Sequence, residues 1–371
     1  MCCLGPMAFE RYRQGHVSAR GRDERRLGRR SGLVVLGAVV LMAGCASTDS
    51  TASSGPEAPA GSAGSSGSQT TVAATASSTP SSTPADVEVR AVTDLVLDPT
   101  HDYGDRYADG ILPVGDGKAV TDGPSKGYVY LCRTGGTGGG AQERGPWFVN
   151  NNTEYDLNAK VHVEGSVSWD GEYDATVDGD RRIIATNDVP HDHTTGEFPV
   201  QPDDPAYEYD RNPNHIEEQD LTYDLAADPV LLDEPACMGG ESGVMTTGVA
   251  LFNAFDAGNR DAGAWEVQDS CDGHPQVTSE YHYHTLSSCI DDVGVETVIG
   301  FALDGFPITG PTVGEGNILT TEDLDECHGI TSTIELDGRQ VTTYHYVMTQ
   351  DFPYSVSCFR GAATDAPGLP G

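Results

Sequence analysis

The chain has 371 residues and a formal net charge of −36 at pH 7, from 57 acidic and 21 basic side chains. Residues 1–30 carry eight Arg against Glu10, Asp23 and Glu24, a net of +5, so the remainder sums to −36 − 5 = −41. So acidic a body, with three Lys in all, excludes nucleic acid as a partner held through its phosphates. It suits a salty, cation-rich exterior where self-repulsion is screened.

In chain order, the Arg-rich start leads into Leu33–Met42, an apolar run too short to span a bilayer well. Ala43-Gly44-Cys45 follows. Basic stretch, apolar run, small residues and then Cys predict a lipoprotein signal peptide over residues 1–45, starting at Met1 or Met7. Cys45 is the predicted lipidation site. The protein is then exported and held by lipid on the outer face of the cell membrane. Residues 46–85, nearly all Ser, Thr, Ala, Gly and Pro, predict a disordered tether with a reach of roughly 35 Å.

Residues 86–122 read as a transition segment, with a short strand within Val87–Val92 and a loop over His101–Asp109. The folded domain is expected over 123–365. Tyr128–Cys132, Trp147–Val149 and Lys160–Glu164 read as strands, and Asp178–Ala185 as a turn feeding a strand. His191 and His193 are two imidazoles at spacing two, a candidate surface metal site. Gln201–Asp233 reads as a long acidic loop because Pro202, Pro205, Pro213 and Pro229 oppose regular structure. Many short strands punctuated by Gly and Pro predict an all-β domain.

The stretch Tyr281-His282-Tyr283-His284 alternates with the period of a strand. His282 and His284 then share one face, and Tyr281 and Tyr283 the other. Tyr344-His345-Tyr346-Val347 repeats the pattern. Gly248–Leu251 answers Gly300–Leu303, and Asp269–Gly273 answers Asp325–Gly329. These matches predict an internal duplication, about 245–290 and 297–361, with the two copies paired in one core. Six Cys remain in the domain, an even number that implies disulfides in an exported protein. If each copy closes its own loop, the bonds are Cys271–Cys289 and Cys327–Cys358, leaving Cys132 to Cys237.

The region from Gly127 to Gly361 resembles the YHYH protein family. Thr186–Pro190, Thr195–Pro199, Gly248–Leu251, Cys271–Pro275, the tetrad, Ile299–Ile308, Asp323–Cys327, Phe352–Tyr354 and Cys358–Gly361 carry the resemblance. It implies no settled activity. In the family pattern the second copy reads like the first. Here Val347 stands where a second His is expected, so the pattern offers three imidazoles rather than four.

His282, His284 and His345 are accordingly the predicted metal ligands, with His274 and Asp304 as further candidates. Neutral imidazole suits Zn or Cu. Three His with an open position is the arrangement of catalytic zinc. Tyr281, Tyr283, Tyr344 and Tyr346 are expected to orient the imidazoles or line the site. Asp323-Leu324-Asp325-Glu326 is a poorer candidate for calcium, lacking EF-hand spacing, and capping a turn is its alternative. A nucleophilic triad is poorly supported, because Ser287 and Ser288 near the tetrad have no spacing rule behind them. The functional expectation is a cell-surface lipoprotein that binds a metal ion or small ligand. The alternatives are a surface interaction module without metal, and a metal-dependent hydrolase or oxidase.

Overall fold

Both Tyr-His-Tyr stretches are strands of one nine-stranded sheet. The computed structural model describes residues 87–134 and 139–367. The predicted signal peptide, Cys45 and the tether lie outside the described residues. In chain order the strands that build the site region are β1 (Glu88–Val89), β2 (Tyr173–Asp178), β3 (Arg181–Thr186), β4 (Leu221–Ala226), β5 (Glu241–Met245) and β6 (Ala250–Phe252). They continue as β7 (Gly273–Pro275), β8 (Tyr281–Tyr283), β9 (Val298–Ala302), β10 (Pro307–Thr309), β11 (Gly329–Leu336) and β12 (Arg339–Val347). One helical turn, α1 (Ala262–Trp265), is capped by Asp261, whose carboxylate accepts from Ala264 N.

The sheet is centred on the antiparallel pair β5–β9, with Val244 opposite Phe301. Outward from β5 come antiparallel β6, then parallel β8, then antiparallel β7. Outward from β9 come antiparallel β10, then parallel β12, then antiparallel β11. The same succession on both sides is what a duplication folded about a pseudo-twofold produces. β1 adds to β12 further along its length, with Glu88 opposite Val341.

The register corrects one part of the repeat alignment. Leu251 pairs with Tyr283, and Ile308 pairs with Tyr346. With the two tyrosines equivalent, Gly248–Leu251 answers Gly305–Ile308, not Gly300–Leu303. Gly248 and Gly305 share positive φ, 93° and 87°, at the start of these matching strands. The topology also corrects the expectation that His282, His284 and His345 meet at one ion, which requires the two Tyr-His-Tyr strands to lie close. β6, β5, β9 and β10 stand between them. At about 4.8 Å per spacing, five spacings separate their axes by roughly 24 Å.

A three-stranded antiparallel sheet, β2–β3–β4, packs on the large one. The Arg182 guanidinium lies 4.1 Å from the Phe301 ring centre, and Tyr223 donates to Glu241 Oε1 at 2.7 Å. The predicted turn joins β2 to β3, with Asp178 opposite Arg181. β4 interrupts the expected acidic loop. Leu221, Tyr223 and Leu225 are buried and alternate with exposed Thr222 and Asp224, and the prolines flank the strand without entering it. The expected strand at Lys160–Glu164 is not formed; Val163 makes a single bridge to Asp269. Within the transition segment, Ile111–Pro113 pairs with Glu154–Asp156, and Ala119–Val120 with Val129–Tyr130.

The three disulfides are those the duplication predicts: Cys132–Cys237, Cys271–Cys289 and Cys327–Cys358. The main core gathers Tyr281, Tyr283, Tyr344 and Tyr346 with Leu251, Phe306 and Ile308.

Candidate metal centre

The site is built from the two outermost strands of the first half-sheet. β7 and β8 pair so that His274 stands directly opposite His282. Gly273, one residue earlier, is required: a Cβ there would fall 2.2 Å from the Tyr281 ring. His284 follows β8 on the face that His282 occupies, as the period-two pattern predicts. Its Nδ1 lies 2.5 Å from Asn253 O, just past β6. His282 Nδ1 lies 3.3 Å from Glu280 O. Each Nδ1–H therefore donates to a carbonyl, which leaves each Nε2 as a bare lone pair.

Those two lone pairs face each other. His282 Nε2 and His284 Nε2 are 3.1 Å apart. Glu266, at the C-terminal end of α1, brings Oε2 to 3.4 Å from His274 Nε2 and 3.5 Å from His284 Nε2. Neither ring nitrogen of His274 has a hydrogen-bond partner, and neither does Glu266 Oε2. Ligand atoms of the three histidines all lie within 4.8 Å of one another. Bonds of about 2.0–2.1 Å in a tetrahedron give ligand–ligand edges of roughly 3.3–3.4 Å. The observed separations of 3.1, 3.4 and 3.5 Å fit that figure.

Burial sets the protonation of the group. The three imidazoles are 3–4 % exposed. Burial holds His284 down to about 4, and pushes His274 and His282 well below the ordinary histidine value, with the neighbouring imidazoles adding to it. Burial likewise pushes the Glu266 carboxyl well above its ordinary range. Neutral imidazoles are the form a cation needs. Lys160 steadies the turn that presents Glu266: its Nζ donates to Gly263 O and Gln268 Oε1, each at 2.5 Å. The three histidines and Glu266 line a cleft of about 1000 Å³, together with Phe252, Asn212, Asn214 and Met238.

The structure brings His274, His282 and His284 together and leaves the other candidates elsewhere. His345 is not a member of the group. Its Nε2 meets Ser332 Oγ at 2.8 Å and its Nδ1 meets Thr309 Oγ1 at 2.9 Å. Asp304 is buried as an acceptor from Tyr346 Oη at 2.6 Å and Gly361 N at 2.8 Å. The tyrosines point away from the imidazoles. Tyr281 donates to Asp269 at 2.8 Å, Tyr344 to Asp325 at 3.2 Å, and Tyr283 bonds His193 Nε2 at 3.0 Å.

The remaining sequence candidates are occupied by local bonds. His193 Nδ1 meets Asp192, whereas His191 reaches Thr246 O, so the two do not converge. In the Asp323–Glu326 stretch, Asp323 closes a capping box and pairs with Arg106. Asp325 accepts from Cys327 N and Gly329 N, and Glu326 pairs with Arg360. That stretch caps a turn and is not a calcium loop. Ser287 and Ser288 donate to Cys271 O and Ser270 O. Sequence reasoning missed Glu266, which no spacing rule ties to the histidines.

Residues 222–317 match the family model described as YHYH protein. The match runs from β4 through the whole first copy and into the second. No curated protein and no solved structure matches the chain.

Proposed function

We propose that this chain, a member of the YHYH protein family through residues 222–317, binds one transition-metal ion through His274, His282 and His284, with Glu266 beside them. The observation that carries this reading is the pair of Nε2 lone pairs, 3.1 Å apart, with the Glu266 carboxyl close by and both ring nitrogens of His274 without a hydrogen-bond partner. Acceptors forced together in a buried place repel unless a cation or a proton sits between them. Burial opposes the proton on these imidazoles. Imidazole with one carboxylate suits Zn and Cu.

The chain's own residues bind and orient the ion. Glu280 O and Asn253 O fix two imidazole tautomers, and the Phe252 ring, 4.2 Å from the His282 ring, holds that ring's plane. When bound, such an ion supplies Lewis acidity on the side open to the cleft. The cleft admits a small ligand to that side. Cobalt is the practical probe, because four-coordinate Co²⁺ has visible absorption bands. The wild-type chain should develop them up to one equivalent, and His274→Ala and His282→Ala should not. A colourless wild type overturns the reading.

The protein is also proposed to sit outside the cell on a lipid at Cys45. The support is the residue pattern over 1–45 and the three disulfides, which persist in oxidising compartments. Wild type should partition into detergent and Cys45→Ala into the aqueous phase. A water-soluble wild type contradicts lipidation.

A further inference from the structure

Of the three lysines in the chain, Lys160 is the buried one. It follows the helical turn Leu157–Ala159, which Asp156 caps by accepting from Asn158 N and Ala159 N. Its amine is enclosed between two carbonyl groups, donating to Gly263 O and Gln268 Oε1 at 2.5 Å each. Among the described residues no carboxylate pairs with it, and no third acceptor meets it.

An ammonium has three N–H donors, whereas a neutral amine has two and a lone pair. Two acceptors satisfy the neutral form completely. The charged form would bury a proton without a partner and a charge without a counterion, and both are costly. The hydrogen bonds therefore leave a free lone pair on nitrogen. Burial accordingly brings Lys160 down to about 8, from an ordinary 10.5. At that value about half of the amine is neutral at pH 8, against under about 1 % for an ordinary lysine.

The amine stands in the wall of a second cleft, of about 580 Å³, which Gly263 and Gln268 also line. This cleft shares no residue with the one at the histidines. Leu112, Leu286, Ile290 and Val293 give it an apolar side. Asp272 lines it too and no Arg does, so a carbonyl compound with its own carboxylate finds little to pair with there.

We propose that Lys160 is a Schiff-base lysine, which condenses with a small uncharged aldehyde or ketone held in this cleft. A desolvated amine is the activated nucleophile for such chemistry. The nitrogen lone pair forms a bond to the carbonyl carbon, and the π pair of the carbonyl moves to its oxygen. One amine proton passes to that oxygen, giving a carbinolamine. Water then leaves with the second amine proton, and a C=N bond stands where the C=O bond was. Protonation of the imine restores one N–H for the carbonyls of Gly263 and Gln268. The step needs no oxidant, reductant or metal, and the inference does not depend on the imidazole site.

The test is reductive trapping on the full wild-type chain, with propionaldehyde and cyanoborohydride at pH 8, followed by peptide mapping of Lys118, Lys126 and Lys160. Cyanoborohydride fixes the imine as a propyl group and spares the disulfides. Lys160 should be labelled at least about fivefold faster than exposed Lys126, as its larger neutral fraction implies. Any smaller preference overturns the proposal, because the amine is then a structural donor only. In urea the three lysines should label alike; a preference that persists there overturns it too, since the fold is then not its source. Glyoxylate, an aldehyde that carries a carboxylate, should show a smaller preference for Lys160. An equal or larger one overturns the uncharged class of ligand.

Discussion

His282 and His345 occupy equivalent rungs of the two half-sheets, one residue before Tyr283 and Tyr346, yet they meet opposite surroundings. His282 stands opposite His274, and His345 opposite Ile330. Where the first copy has His284, the second has Val347. Ile330 and Val347 pack with Val295, Leu319 and Leu324 in an apolar cluster of their own. His345 is left with two hydroxyl partners, Ser332 and Thr309. The duplication therefore keeps one polar site and fills the equivalent place with hydrocarbon.

Restoring the missing imidazole should thus harm the protein without adding a site. Val347 is fully buried, so Val347→His places an imidazole among aliphatic side chains with no partner. The cost should be about 2 kcal/mol or more. A thermal melt should show the loss, and the metal stoichiometry should stay at that of wild type. A second bound ion in this variant would contradict the account.

Removing a ligand should do the reverse. His284→Ala should weaken zinc affinity by roughly two orders of magnitude, as about 2.7 kcal/mol of lost binding implies. Three disulfides hold the surrounding loops, so the near-UV circular dichroism should remain native. Glu266→Gln should weaken zinc less, because its oxygen stands slightly farther off. Full affinity in His284→Ala would remove that imidazole from the site.

The buried histidines predict a pH dependence. Burial lowers His345 to about 4 and His328 to about 3, from an ordinary value of 6.5. Between the unfolded and folded values the unfolded chain binds more protons, so stability falls as pH falls. Each contribution is fully present above about 6.5 and is lost on acidification toward 4 or below. For His345 it amounts to roughly 3 kcal/mol. Zinc should be retained well below pH 6.5, since His284 titrates at about 4. Urea midpoints measured from pH 7 to pH 4 check this, and a flat profile would mean these imidazoles are solvated.

Of the three disulfides, Cys132–Cys237 should matter most. It spans 105 residues, against 18 and 31 for the others. Chain entropy assigns about 4–5 kcal/mol to a loop of that length and about 3 to the shortest. Cys132 and Met238 also line the cleft, so its loss should loosen that wall. Urea unfolding of the three Cys→Ser pair variants should rank them in loop order; an inverted ranking contradicts the entropic account.

Much of the fold was legible in short-range patterns. Period two in Tyr281–His284 placed His282 and His284 on one face, and the presence of one Cys pair in each copy pointed to the disulfides. Pairing partners were harder to read. Sequence similarity put His345 with His282, because a duplication shows which residues are equivalent but not how far apart the copies are folded. The strands between them carry that distance, and no residue pattern in Glu241–Met245, Ala250–Phe252, Val298–Ala302 or Pro307–Thr309 shows their order in the sheet. Leu221–Ala226 was hidden by flanking prolines that never enter the strand. Glu266 was invisible because α1, a single turn, aims it at the histidines only through the packing of Asp261 and Lys160. His274 was visible as a candidate, but its rank depended on β7 pairing with β8.

The most direct measurement is the metal content of the full-length chain, loaded with zinc and freed of unbound ion by gel filtration. Elemental analysis should find one zinc per wild-type chain and none in the His274→Ala, His282→Ala double variant. The His345→Ala variant should keep its zinc, because Ser332 and Thr309 hold that imidazole away from the site. A wild-type chain that retains no zinc or copper, or a double variant that retains as much as wild type, would contradict the central claim.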